Sequence, residues 1–352
     1  MTLPPTRSLR VVAAALFGAT FVATPARLAA QQPSHATHHA APPPAARSAA
    51  APATSLGTAV GTAVGTGVGT GVGTVVVAHG GDSVWNAQVV EIARQANTGG
   101  PVEVSFLMGP GARTARFQDA VARLAARGVG EIVVVPMLVS SHSGHYGQIR
   151  WLAGEPVTLD ESMQHHLHMA GIERPDSATR ARVPMRLTPA MDDAPHVARV
   201  LADRARAFVR EPRGRALFIV GHGPNSAEDY AAWMQNLRVV ADSVRAHTGF
   251  RDVRVDLVRD DAPPPVRAEA VRRVRELIEL QHAATGDTVV VVPVLVSKGS
   301  VSRDKVPADI RGTPSVYVGE PLLPHPAMAR WVEARVAGAR RVARQEPRQA
   351  TR

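Results

Sequence analysis

From residue 74 onward, short runs of valine and isoleucine alternate with longer segments whose apolar positions recur every three to four residues. The apolar runs lack polar alternation, so each is buried on both faces, as in a parallel sheet covered by helices. The pattern predicts strands at 74–78, 102–107 and 131–139, with helices at about 84–97 and 114–127 between them. It then predicts the same order again, with strands at 216–221, 253–258 and 288–296 and helices at about 227–247 and 265–284. A fourth strand and helix close each half, at 184–189 with 194–209 and at 315–319 with 326–339. Pro195 and Pro326 stand near the first turns of those helices, where a missing amide costs nothing. The expected fold is α/β: two tandem, doubly wound parallel-sheet domains related by duplication.

The duplication is also visible in the letters. Residues 133–140 read V-V-V-P-M-L-V-S and residues 290–297 read V-V-V-P-V-L-V-S. Upstream, V-V-V-A-His79-Gly80-Gly81 matches F-I-V-Gly221-His222-Gly223-Pro224. Past the third strand the copies part: the first continues Ser140-Ser141-His142-Ser143-Gly144-His145, the second Ser297-Lys298-Gly299-Ser300. Open parallel sheets bind ligands outside the carboxyl ends of their strands, and His79, His142, His145 and His222 all stand at such ends. Glycine after His79 allows a tight turn and a close approach of a bulky ligand. Neutral imidazole ligates first-row divalent metals and takes up protons near neutral pH, so converging imidazoles fit a reaction that exchanges protons for a metal ion.

His79-Gly80-Gly81, the strand V-E-V-S-F-L at 102–107, and I-V-V-V-P-M-L-V-S at 132–140 followed closely by histidine resemble the CbiX/SirB group of class II tetrapyrrole chelatases. The resemblance covers both halves, over roughly residues 74–338. It implies a pair of chelatase-like domains that insert Co²⁺, Fe²⁺ or Ni²⁺ as substrate into sirohydrochlorin or a related tetrapyrrole without ATP. In that family one histidine follows the first strand and another the third, and both serve metal binding and pyrrole deprotonation. His79 matches the first; His142 and His145, six and nine residues after Pro136, are both candidates for the second. Family members often carry an acidic residue after the second strand, where this chain has Met108-Gly109-Pro110. In the second half His222 keeps the first position and Lys298 replaces the second, so the resemblance puts catalysis in the first half. The second half would hold the ring, with Lys298 suited to its carboxylates. Arg150 and Trp151, just after the histidine loop, are candidates for a ring carboxylate and a ring face. The alternative is an exported protein that binds metal or tetrapyrrole without turnover.

Composition narrows the remaining classes. A chain of 352 residues suits two domains, placed at 74–210 and 211–340, with a basic tail at 341–352. The net charge of +10 is nearly all arginine, scattered among acidic residues as in V-R-R-V-R-E-L-I-E-L at 271–280, so no nucleic-acid partner is expected. With no cysteine, a metal must be held by nitrogen, oxygen or methionine sulfur. Neither a Walker A loop nor a G-x-G-x-x-G after a strand is present, so no nucleotide is expected, and no G-x-S-x-G elbow supports a hydrolase. Arg7-Ser-Leu-Arg10, the apolar run at 11–23 and the small residues that follow read as a secretory signal over 1–30. A periplasmic or otherwise exported protein with no membrane span after cleavage is expected. Residues 31–73, with His35, His38 and His39, read as an Ala/Pro/Gly/Thr tether. In the segment at 163–169, which includes His166, a helix would put His165, His168 and Met169 on one face, most simply a solvated one; the alternative is that the segment collects metal or caps the cleft. Asp192 and Asp193 read as helix caps, and Glu320 and His325 occupy the equivalent place in the second half.

Overall fold

The computed structural model describes residues 71–172 and 183–345. The expected signal at 1–30, the histidines of the tether and the end of the tail lie outside the described residues. Among those described, no helix is long and apolar enough to cross a membrane.

In the first half β1 (Gly71–Ala78) lies between β2 (Val102–Phe106) and β3 (Val129–Met137), and β4 (Met185–Leu187) pairs with the outer edge of β3. The second half repeats the order with β5 (Ala216–Gly221), β6 (Asp252–Leu257), β7 (Val289–Pro293) and β8 (Ser315–Tyr317), in the sequence β6-β5-β7-β8. Every pairing is parallel. The helices of the first half are α1 (Ser83–Gln95), the short α2 (Gly111–Thr114), α3 (Phe117–Ala126), α4 (Gly144–Leu152), α5 (Glu161–Met169) and α6 (Pro195–Phe208). Those of the second are α7 (Ala227–Thr248), α8 (Pro264–Thr285), the short α9 (Val306–Asp309) and α10 (Pro326–Gln345).

β1 starts earlier than its valine run suggests. Gly71 and Val72, assigned above to the tether, pair with Val129 and Glu131 of β3 across a register shift. A Cβ on Gly73 would come within 3.1 Å of the Leu124 side chain, so the lack of a side chain lets α3 sit against the strand. A partner strand and a covering helix thus make a strand of letters that locally read as linker.

One apolar core joins the two halves. It takes Val76 and Val133 from the first sheet, Leu217 and Val290 from the second, and side chains of α1, α6, α7 and α10, among them Ile92, Leu201, Leu237 and Trp331. The outer faces have separate cores, under α3 and α4 in the first half and α8 in the second. Polar bonds reinforce the junction: the Asn97 amide donates to Glu333 Oε1 at 2.8 Å, and Arg335 donates to the carbonyls of Ala190 and Met191. The duplicated domains are therefore two sheets fused through a common layer of helices.

What positions a site is the strand order. β1 sends its connection to β2 on one side, whereas its other neighbour is β3, so the flanking loops diverge between the carboxyl ends of β1 and β3. These ends are flush, with Ala78 paired to Met137, and β5 and β7 end in the same way with Val220 paired to Pro293.

Leu201 is fully buried in the shared layer, so Leu201→Ala should cost about 2–5 kcal/mol. Because both sheets rest on that layer, circular dichroism and tryptophan fluorescence should report one unfolding transition with a lowered midpoint. Two separated transitions would show that the halves do not share a core.

Candidate functional site

His79 is the first residue beyond β1, and its backbone is clamped before its side chain does anything. The amide of Met108, just past β2, donates to the His79 carbonyl at 2.8 Å. Gly80 has φ +95°, and a Cβ there would lie 2.4 Å from the Met108 carbonyl oxygen, so only glycine fits the turn. Asn86 closes the turn by accepting from the Gly81 amide at 2.9 Å and donating to its carbonyl at 3.2 Å. His79 Nδ1 lies 2.7 Å from the Gly80 carbonyl oxygen. A carbonyl can only accept, so Nδ1 carries the proton and Nε2 of the neutral ring keeps its lone pair.

The loop after β3 is built by its serines. Ser140 Oγ accepts from the His142 amide at 3.1 Å, and Ser143 Oγ caps α4 by accepting from the Tyr146 amide at 3.2 Å. Ser141 is held by Asp192, whose two carboxylate oxygens accept from its amide and its hydroxyl, each at 2.7 Å. Asp192 is therefore a clamp on the histidine loop and not the expected helix cap; α6 has Ala194 at its cap, with no side-chain bond there. The serines turn His145 inward at the second position of α4. Its Nδ1 lies 3.4 Å from Gln148 Oε1, and the buried Gln148 donates its amide nitrogen to the His166 carbonyl at 2.9 Å. That donation aims the Gln148 oxygen at His145, so Nδ1 carries the proton and Nε2 is again left as the acceptor.

Three imidazoles meet here. The His79 and His145 rings lie edge to face with centroids 4.6 Å apart, and His145 and His166 stand at the same separation. His166 arrives on α5, which lies against α4 through buried Met163 and Leu167. Glycines make that approach possible: a Cβ on Gly144 would meet His166 Nε2 at 2.4 Å, and one on Gly147 would meet Met163 Cε at 2.8 Å. Burial, then the neighbouring His79 and His166, push the His145 imidazole down to about 3. The amino end of α4 acts in the same direction, since its dipole disfavours a cation. Burial also lowers His79 and His166. Burial thus favours the neutral form of all three rings.

The second half brings His222 to the equivalent place after β5. The amide of Arg259, just past β6, donates to the His222 carbonyl, as the Met108 amide does to His79. Matching the repeats through these bonds sets Asp260-Asp261 opposite Gly109-Pro110. The carboxylate missing after the second strand of the first half is thus present in the second. Asp260 Oδ1 lies 3.5 Å from His222 Nδ1, and Oδ2 accepts from Lys305 Nζ at 2.9 Å. Burial alone would raise the Asp260 carboxyl, but His222 and Lys305 outweigh it and hold it well below the usual range. His222 also stands edge-on to Trp233, with centroids 5.3 Å apart, and Trp233 Nε1 donates to the His142 carbonyl at 2.6 Å. The two halves therefore touch through the histidine loop itself. The field at His79 includes His222, Asp261 and Asp260.

The structure brings His79 and His145 together and adds His166. The His142 side chain is exposed, and the bonds of this residue run through its backbone. Arg150 and Lys298 are both ion-paired, to Glu155 at 2.8 Å and to Glu320 at 2.6 Å. Such half-exposed pairs are worth little and can exchange partners with a ligand carboxylate. A surface groove lined by Tyr230, Arg238, Asp256 and Arg273 contains none of these histidines, and Asp256 there is satisfied by Arg273 and Tyr230. Sequence reading passed over Gln148, Trp233 and the two aspartates, and left the role of His166 open. For His166 a signal existed: on a helix it flanks Met163 and Leu167, the apolar positions of the segment, whereas His165, His168 and Met169 do not share that face. For the aspartates, aligning the loops after the second strands would have sufficed.

The CbiX family model matches residues 73–207 and 216–339. Among solved structures, SirB from Bacillus subtilis with Fe³⁺ superposes with a TM-score of 0.52 at 16% identity, covering 78% of this chain and 98% of that one. The sirohydrochlorin chelatase SirB from Bacillus subtilis subspecies spizizenii in complex with cobalt gives a TM-score of 0.49 at 13% identity, with the same coverage of 78% and 98%. No curated protein matches the chain.

Since His145 is neutral in the folded chain down to about pH 3, the unfolded chain takes up its proton first, near the ordinary value of about 6.5. Its contribution to stability is fully present above that pH and is lost as pH falls from about 6.5 toward about 3. The urea midpoint should therefore drop more steeply over this interval in the unaltered protein than in His145→Gln; equal slopes would contradict the burial of a neutral ring. Gly144→Ala should lower stability by about 1–3 kcal/mol despite the better helix propensity of alanine, because its methyl group displaces His166. Imidazole NMR signals of His145 and His166 should shift together in this variant, and unmoved signals would exclude the contact.

Proposed function

The chain belongs to the CbiX family of class II tetrapyrrole chelatases, and from that membership we propose that it inserts a divalent first-row ion, Co²⁺, Fe²⁺ or Ni²⁺, into sirohydrochlorin or a related tetrapyrrole without nucleotide. The observation that carries this reading is the contact of His79 and His145, two imidazoles from neighbouring strand ends whose Nδ1 protons are engaged by a carbonyl and an amide oxygen. A pair of this kind offers Nε2 lone pairs to a borderline metal ion.

Insertion replaces two pyrrole N–H protons by one metal ion, so the protein must hold the ion, surrender it and take up protons in passing. His79 and His145 are the ligands and the transient proton acceptors; His166 packs its ring against His145. Their lowered basicity serves both steps. Protons do not compete for the ring nitrogens while the metal is held, and a proton taken from the macrocycle is released again at neutral pH. Arg150 and Lys298 would exchange Glu155 and Glu320 for carboxylates of the macrocycle, and His222 stands where it can contact the ring from the second half. The Fe³⁺ bound by SirB agrees with a first-row ion.

Anaerobic incubation with sirohydrochlorin and Co²⁺, followed by the absorption change of the ring, tests the proposal. Multiple turnovers are expected. His79→Ala and His145→Ala should each lose about 100-fold or more, the scale of a lost ligand and proton acceptor, whereas His142→Ala should stay near the unaltered rate. Binding of one ring without turnover would establish the alternative, a carrier for metal or tetrapyrrole. A rate lost in His142→Ala and kept in His145→Ala would overturn the assignment of the ligands.

A further inference from the structure

The loop that carries His142 and His145 is held from two sides by residues of the second half. On one side stands Trp233 of α7, a buried residue whose Nε1 donates to the His142 carbonyl at 2.6 Å. A peptide unit is planar, so fixing that oxygen fixes the plane that leads into Ser143. The His142 amide is engaged as well, donating to Ser140 Oγ at 3.1 Å. Ser143 follows in extended conformation, with φ −161° and ψ 157°, and caps α4, whose second residue is His145. Only Ser143 and Gly144 stand between the residue that Trp233 grips and the imidazole that meets His79.

On the other side stands Arg335 of α10. It donates to the Ala190 carbonyl and, at 3.3 Å, to that of Met191. Those two residues lead into Asp192, whose φ of +49° is a left-handed conformation uncommon for a residue with a side chain. In that conformation the Asp192 carboxylate meets the amide and the hydroxyl of Ser141, each at 2.7 Å. The Ala190 amide in turn donates to Ser141 Oγ at 2.9 Å.

The repeat shows what is particular about the Trp233 contact. Ser297 and Gly299 stand in the second half where Ser140 and His142 stand in the first. Ser297 Oγ donates to Gln88 Oε1, and a Cβ on Gly299 would come within 3.4 Å of the Trp85 ring. The helix after the first strand of each half thus props the third-strand loop of the other. In one direction the propped loop carries Lys298, and in the other it carries imidazoles. An indole N–H that grips a backbone oxygen orients such a loop and leaves its side chains free to face a metal.

We propose that Trp233 and Arg335 are positioning residues, through which the second half sets the placement of His145 against His79. The effect on turnover rests on the chelatase reading; the effect on placement rests on these contacts alone.

Trp233→Phe removes the indole N–H and keeps an aromatic ring in the core, and Arg335→Met removes the guanidinium and keeps an unbranched stem. Far-UV circular dichroism should show both variants folded. In each, the imidazole NMR signals of His145 should move. Co²⁺ affinity, measured by equilibrium dialysis of the full chain without tetrapyrrole, should fall about tenfold or more, the scale of a lost contact behind a metal ligand. With sirohydrochlorin and Co²⁺, kcat should fall about tenfold or more while KM for the ring changes less, because a displaced ligand slows transfer without removing what holds the ring. Leu237→Ala is the control, since Leu237 is buried in the shared core one turn along α7 from Trp233. It should lower the thermal midpoint and leave the His145 signals and the Co²⁺ affinity in place. Unmoved signals and affinity in both Trp233→Phe and Arg335→Met would overturn the proposal, and so would equal losses in Leu237→Ala. An unaltered chain that binds Co²⁺ and never turns over would count against the chelatase reading, and the NMR and dialysis results would still decide the positioning role.

Discussion

The flush parallel pairing of β1 with β3 is the constraint on which the rest depends. Two strands without polar alternation must be buried on both faces, and parallel pairing sends both carboxyl ends to one edge of the sheet. Because Ala78 and Met137 are partners, the loops beyond them start side by side. Residues separated by 66 positions in the sequence thereby become ring-to-ring neighbours, His79 and His145. The same pairing of β5 with β7 brings His222 and Lys298 to the corresponding edge, where the second loop offers a cation in place of an imidazole.

Around this edge the structure spends most of its polar groups on orientation. The carbonyl of Gly80 and the amide of Gln148 decide which nitrogen of His79 and of His145 bears a proton, and three serines decide where the loop turns. Asp192 and the close approach of α5 over Gly144 then hold the arrangement in place. The result is a patch of neutral, weakly basic nitrogens. Such a patch suits a metal that must later leave, since neither protons nor strong anionic ligands hold the site shut.

Duplication explains the asymmetry of the two halves. Each repeat keeps the histidine after its first strand and the amide bond that clamps its carbonyl. The first repeat keeps imidazoles after its third strand and has Gly109-Pro110 after its second; the second repeat has Asp260-Asp261 there and Lys298 after its third. The donors of one ancestral pattern are thus divided between two sheets that share a core, and Trp233, which touches both His222 and the His142 carbonyl, links the halves.

The sheets, their order of elements and the two histidine-bearing strand ends were legible in the letters, because burial on both faces leaves an uninterrupted apolar run and the repeat writes it twice. Boundaries were less so: β1 recruits Gly71 and Val72 only because β3 supplies partners for them. His142 and His145 were indistinguishable by spacing; Ser143 capping α4 and Gln148 beside His145 Nδ1 set the His145 ring against His79, through contacts that exist only once the loop is folded. His166, Asp192 and Asp260 lie far from their partners in the chain, so nothing local marks them. Periodicity reports which side of an element is buried. It does not report what waits on the other side of that contact, which depends on how helices and loops from distant parts of the chain come together around the strand ends.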